Sequence, residues 1–157
     1  MQSITPFLWF DDQAEEAAEF YVSLFPGSRI ESVTRYPEGG PGPAGTAMSV
    51  SFVLDGLELQ ALNGGPAFSF TEAISLLVHA PTQDDVDRLW EGLLAGGGEP
   101  GQCGWLKDRY GLSWQVVPPA LFELLGDPDP ERAGRAMQAM LTMTKIDIAA
   151  MQAAAAG

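Results

Sequence analysis

The stretch GLSWQVV, Gly111 to Val117, restates GLELQAL, Gly56 to Leu62: both read Gly-Leu-x-apolar-Gln-apolar-apolar, with Gln115 fifty-five residues after Gln60. Each reads as a strand. Side chains alternate across a strand, so Leu57, Leu59 and Ala61 share one face, and Glu58, Gln60 and Leu62 share the other. The second copy divides in the same way, into Leu112, Trp114 and Val116 against Ser113, Gln115 and Val117. The apolar faces are expected to meet helices. The glutamine faces are then expected to line a concave surface. If the copies are related by an approximate two-fold axis, Gln60 and Gln115 point into one shared cavity. The alternative is that each amide only satisfies a neighbouring backbone group.

Working outward, the residues before each copy repeat as well. ITPFLWF (Ile4 to Phe10) reads as a strand, and DDQAEEAAEFYVSLF reads as a helix that Asp12 can cap, with an apolar stripe of Ala17, Phe20, Tyr21, Leu24 and Phe25. RIESVTRY alternates like a half-buried strand. PEGGPGPAG (Pro37 to Gly45) is a loop, and TAMSVSFVLDGLELQALNGG gives two strands turning at Asp55-Gly56. The order then restarts. AISLLV (Ala73 to Val78) is a strand, and Thr82 to Leu94 is a helix whose apolar face is Val86, Leu89, Trp90, Leu93 and Leu94. Short strands follow near Pro100 to Gly104 and Trp105 to Asp108, before the strand quoted first. An offset of sixty-nine places Phe20-Tyr21 on Leu89-Trp90, so the chain is a tandem pair of one supersecondary unit. Halves at 1–62 and 72–118, a linker at 63–71 and a helical extension at 119–157 follow. The extension is expected to dock through Met137, Met140, Leu141, Ile146, Ile148 and Met151, on its own chain or on a second subunit.

Composition limits the partners. With 8 Lys and Arg against 21 Asp and Glu, the net charge is −13, which repels nucleic acid and anionic membrane surfaces. A 46% apolar share in 157 residues argues for a packed globule. The N-terminal residues lack the basic and apolar regions of a signal peptide, no window has the length of a membrane-spanning helix, and Cys103 is the only cysteine. A cytoplasmic protein is expected.

The tandem βαβββ unit resembles the vicinal oxygen chelate superfamily of glyoxalases, bleomycin-resistance proteins and extradiol dioxygenases. PFLWFDDQAEEAAEFYVSLFPGSRI, LDGLELQALNGGPAFSFTEAISLLV, TQDDVDRLW and GQCGWLKDRYGLSWQVVP are similar to its PhnB-like branch, some members of which carry the label 3-demethylubiquinone methyltransferase. The resemblance implies an α+β fold, in which tandem βαβββ units form a curved mixed sheet around one cavity, with C-terminal helices added. In catalytic members, the first and last strands of each half supply metal ligands. Those places fall on Pro6, Gln60, Ser75 and Gln115, a set without carboxylate or imidazole, so no metal and no cofactor is expected. A metal-dependent lyase, isomerase or oxygenase is the alternative, and whether the protein is an enzyme stays open.

Other signals favour bland readings. GGGEPG (Gly96 to Gly101) matches GxGxxG, but it follows a helix and precedes a strand, the reverse of a nucleotide or adenosyl-methionine site. Cys103 suits packing better than nucleophilic work, His79 falls outside the ligand places, and Lys107, Asp108 and Arg109 read as a solvated turn. The expected function is binding of an unidentified small molecule by a homodimer. Gln60, Gln115 and Asn63 are its polar contacts, and Trp9, Phe68, Phe70 and Trp105 its aromatic walls, with Phe7 beside them.

Overall fold

The computed structural model describes residues 3–157, so the first two residues of the first half lie outside it. The chain divides between Phe70 and Thr71 into two compact units. Each contains one βαβββ half, and the architecture is α+β.

In the first unit, β1 (Phe7–Phe10), α1 (Ala14–Leu24), β2 (Arg29–Arg35), β3 (Ala47–Leu54) and β4 (Leu57–Asn63) give a four-stranded sheet of order β1-β4-β3-β2. β1 runs parallel to β4 and the remaining pairs are antiparallel. Period-two burial selects the face that α1 covers. Leu8, Phe10, Val50, Phe52, Leu59 and Ala61 are buried on the sheet, and Ala14, Ala17, Ala18 and Tyr21 on the helix. The β3–β4 turn places Asp55 at φ 44° and Gly56 at φ 88°, the paired left-handed geometry of a two-residue hairpin that Asp-Gly favours.

The second unit repeats this order. It comprises β5 (Ser75–His79), α2 (Gln83–Leu94), β6 (Glu99–Pro100), β7 (Trp105–Lys107) and β8 (Ser113–Val117), in a sheet of order β5-β8-β7-β6. Leu112, Trp114 and Val116 meet the Val86, Leu89, Trp90 and Leu93 face of α2 within its core. Three further helices belong to this unit: α3 (Pro119–Leu125), α4 (Pro130–Leu141) and α5 (Ile148–Ala156).

These helices dock on their own chain through backbone bonds, one side-chain amide and a small apolar core. The N–H groups of Cys103 and Gly104 donate to the carbonyls of Met143 and Thr144 at 2.9 and 2.7 Å. The Gln83 amide bridges Ile146 and Ile148. A small core of Val117, Leu121, Ala136, Ile146, Met151 and Ala155 closes the contact. Met137 and Leu141, expected among the docking residues, are instead 45% and 51% exposed. Ala136 and Met140 form the inward stripe of α4, and a residue one position from either is rotated about 100° away. No helix among the described residues is long and apolar enough to cross a membrane.

The two helices begin differently. α2 carries its own capping box, with Thr82 accepting from the Asp85 N–H and Asp85 returning a bond to the Thr82 N–H. At α1 the N-cap position is Gln13, whose side chain makes no capping bond, and Asp12 does not serve as the cap. The side-chain Oδ1 of Asn63, at the end of β4, accepts from the Ala14 N–H at 2.8 Å. A strand thus satisfies one of the unpaired N–H groups with which every helix starts.

Candidate functional site

Strand register fixes what each half presents on the sheet face away from its helix. In the second half, Ser75, Ser113, Lys107 and Glu99 are neighbours across the four strands and form one polar row. The next row is Leu77, Gln115 and Trp105. A third row, His79 and Val117, lies where the C-terminal helices pack: Val117 is in their core, and His79 meets the Phe122 ring at 6.3 Å. That leaves Ser113, Lys107 and Glu99 of the polar row, with Trp105, around a cavity of about 400 Å³, bordered also by Cys103 and Glu72.

Chemically this cavity is mixed. Trp105 and Leu106 give it apolar surface, and the Lys107 ammonium pairs with the Glu72 carboxylate. This bond lowers the Glu72 pKa and raises that of Lys107, with the charge of Glu99 adding to the second effect. Ser113 is 1% exposed, and its hydroxyl is the buried side-chain polar atom that lacks a hydrogen-bond partner among the described residues. A buried hydroxyl left unpaired costs about 1–3 kcal/mol. Cys103 sits at φ 56° beside Gly104 at φ 85°, and its thiol approaches the Met140 carbonyl at 3.5 Å.

The two glutamines behave differently. The Gln115 amide donates to the Ser75 hydroxyl at 2.9 Å. Gln60 is exposed, beside a hollow of about 290 Å³ that Thr5, Glu31, Ser51 and Glu58 share. Asn63 is tied at both ends of its amide, to Ala14 N and to the Ala47 carbonyl at 3.0 Å. Trp9 lies along the linker, donating to the Gly65 carbonyl at 2.9 Å and meeting Phe68 edge-on at 4.9 Å. A Cβ on Gly64 would fall 2.3 Å from the Trp9 ring, so this packing requires glycine. Phe70 packs edge-on against Phe10, which belongs to the helix-facing core. Of the expected site residues, Trp105 borders the second-half cavity, Gln115 stands in the row beside it, and Trp9 and Phe68 pair with one another in the first half.

The register also moves one alignment. Phe7 lies opposite Gln60 and Leu77 opposite Gln115, so the first strands correspond at an offset of seventy, not sixty-nine. The first half has one more residue between strand and helix. Thr5, rather than Pro6, is therefore the counterpart of Ser75, and the Pro6 carbonyl is occupied by the Gln60 N–H at 3.0 Å. Thr5 and Gln60 in one half, and Ser75 and Gln115 in the other, offer hydroxyls and neutral amides, a donor set that does not fit a divalent-ion centre. Among the described residues no three His, Cys, Asp or Glu side chains cluster to replace it.

Sequence reasoning missed Asp108. It is 3% exposed, not solvated. One carboxylate oxygen accepts from the N–H groups of Tyr110 and Leu112 at 2.8 and 3.1 Å, and the other from Trp114 Nε1 at 2.8 Å. The signal was present in the Asp-x-Tyr-Gly turn, whose Asp108 stands six positions before the buried Trp114 on the next strand. The glycine run does end a helix: Gly98 N–H returns to the Leu94 carbonyl at 2.9 Å and β6 follows.

Comparison with known proteins agrees with this geometry. Residues 2–117 match the family model described as 3-demethylubiquinone-9 3-methyltransferase. The solved PhnB protein of Bacillus cereus is 39% identical, with a TM-score of 0.69, over 74% of this chain and 99% of its own. Protein PA1353 from Pseudomonas aeruginosa shares the fold at 22% identity and a TM-score of 0.61, over 75% of this chain and 98% of its own. A glyoxalase/bleomycin resistance protein from Albidiferax ferrireducens is 14% identical, with a TM-score of 0.47, over 73% and 95% of the two chains. No curated protein matches. The chain belongs to the 3-demethylubiquinone-9 3-methyltransferase family, and it is similar to that family's PhnB protein.

Proposed function

We propose that the protein binds a small, partly apolar molecule without a metal, and that the cavity on the second-half sheet receives it. The observation that supports this most directly is the cavity of about 400 Å³ itself, in which Trp105 and Leu106 stand beside Glu72, Glu99 and Lys107. Cavities of this size with an apolar body and a few polar groups suit small ligands. The donor set at the family's metal places gives no foothold for Lewis-acid chemistry, and the glycine run presents no helix N-terminus to a nucleotide.

Calorimetry of the purified chain against a panel of apolar cations and neutral quinones tests the reading. Binding that Trp105→Ala weakens tenfold or more supports it. A panel without a single binder, or stoichiometric zinc, nickel, manganese or iron in the purified protein, overturns it.

A further inference from the structure

The charges around the second-half cavity indicate which class of small molecule it selects, an inference that rests on the reading above. Three charged side chains border it, Glu72, Glu99 and Lys107, so its local balance is one negative charge. Both carboxylates act on the one ammonium: Glu72 is hydrogen-bonded to it, and Glu99 stands next to it across the β6–β7 pair. Two anions thus hold a cation at the mouth of a hollow that a tryptophan lines. The ring face of Trp105 adds to the preference, because its quadrupole attracts ammonium and guanidinium groups and its area suits a flat partner. An anion, by contrast, would have to approach a chain of net charge −13 and displace Glu72 from Lys107.

We infer that this cavity selects a flat aromatic amine, its ring against Trp105 and its ammonium between Glu72 and Glu99 in competition with Lys107. Lys107 then fills the cation's place in the free protein. A ligand amine exchanges with it, so removing Lys107 strengthens binding.

Three probes of one shape and different charge test this on the full chain: tryptamine, tryptophol and indole-3-acetate, titrated by calorimetry and by the Trp105 indole N–H resonance. Tryptamine should bind at least fivefold more tightly than tryptophol, and indole-3-acetate most weakly. Glu99→Gln should lower tryptamine affinity by roughly 1.5-fold to fivefold, the range of an exposed charge pair, and leave tryptophol unchanged. Lys107→Gln should raise tryptamine affinity. Equal binding of tryptamine and tryptophol sinks the charge selection and leaves the cavity reading standing. Tighter binding of indole-3-acetate makes Lys107 the recognition group and overturns the inference. Failure of all three probes overturns it as well, while the broader panel still decides whether the protein binds small molecules.

Discussion

The two halves share a skeleton and differ in what they hang on it. Matched through the strand register, Arg29, Val53 and Glu58 in the first half become Glu99, Lys107 and Ser113 in the second, and Ser51 becomes Trp105. The faces turned toward the helices stay apolar in both. The opposite faces do not: Glu58 and Gln60 are exposed, whereas Ser113 and Val117 are buried. Duplication therefore constrained the side of each sheet that holds the fold together and released the other. The same division appears at the β3–β4 and β7–β8 hairpins. Leu54 closes a two-residue turn in the first, and its counterpart Asp108 organises a three-residue turn around its carboxylate in the second.

The largest break in this comparison should come at Asp108. Asp108→Ala leaves two backbone N–H groups and the buried Trp114 indole without their acceptor, which costs about 3 kcal/mol or more. Leu54→Ala in the matching place removes only apolar contacts, at about 2–3 kcal/mol. Urea unfolding, followed by tryptophan fluorescence and by hydrogen exchange, reads both. Asp108→Ala should lose protection first in β7 and β8. A shift smaller than that of Leu54→Ala would show the carboxylate to be incidental.

Asp108 also shows where the sequence stops being legible. The twin strands, the helix stripes and the order of elements follow from periods of 2 and 3.6 residues, and the structure keeps them. The turn Lys107-Asp108-Arg109 has the composition of a solvated loop, and burial of its central residue depends on an indole six positions further on. The cap on α1 is less legible still. Asp12 stands where a local cap belongs, yet the acceptor is Asn63, forty-nine positions away, and no local rule reaches that far. The candidate site was half legible for the same reason. Trp105 follows from strand alternation, but Glu72 matters only because the fold brings it to Lys107.

The borrowed cap offers the second test. The second half has Pro118 where the first has Asn63, and it relies on the Thr82 box instead. Asn63→Ala should cost about 1–2 kcal/mol, because it removes a helix cap and a bond to the β3 backbone at once. Thr82→Ala should cost about 1 kcal/mol. The ratio of the two shifts in urea midpoint measures how far α1 depends on β4. Equal shifts would mean that water replaces Asn63 at the start of α1.

The smallest effect separates the paired glutamines. Gln60→Leu exchanges an exposed amide that borders an open hollow, and stability should change by less than about 0.5 kcal/mol. Gln115→Leu breaks the bond to Ser75 and should cost up to about 1 kcal/mol, since the half-buried hydroxyl regains water only in part. The double variant Gln115→Leu with Ser75→Ala removes both partners and should recover most of that loss. Recovery identifies the second-half amide as a structural cross-strand link and leaves Gln60 as the glutamine whose amide is open to solvent. Without recovery, the Gln115 carbonyl end has a role of its own on that face, and the two halves are closer in chemistry than their hydrogen bonds suggest.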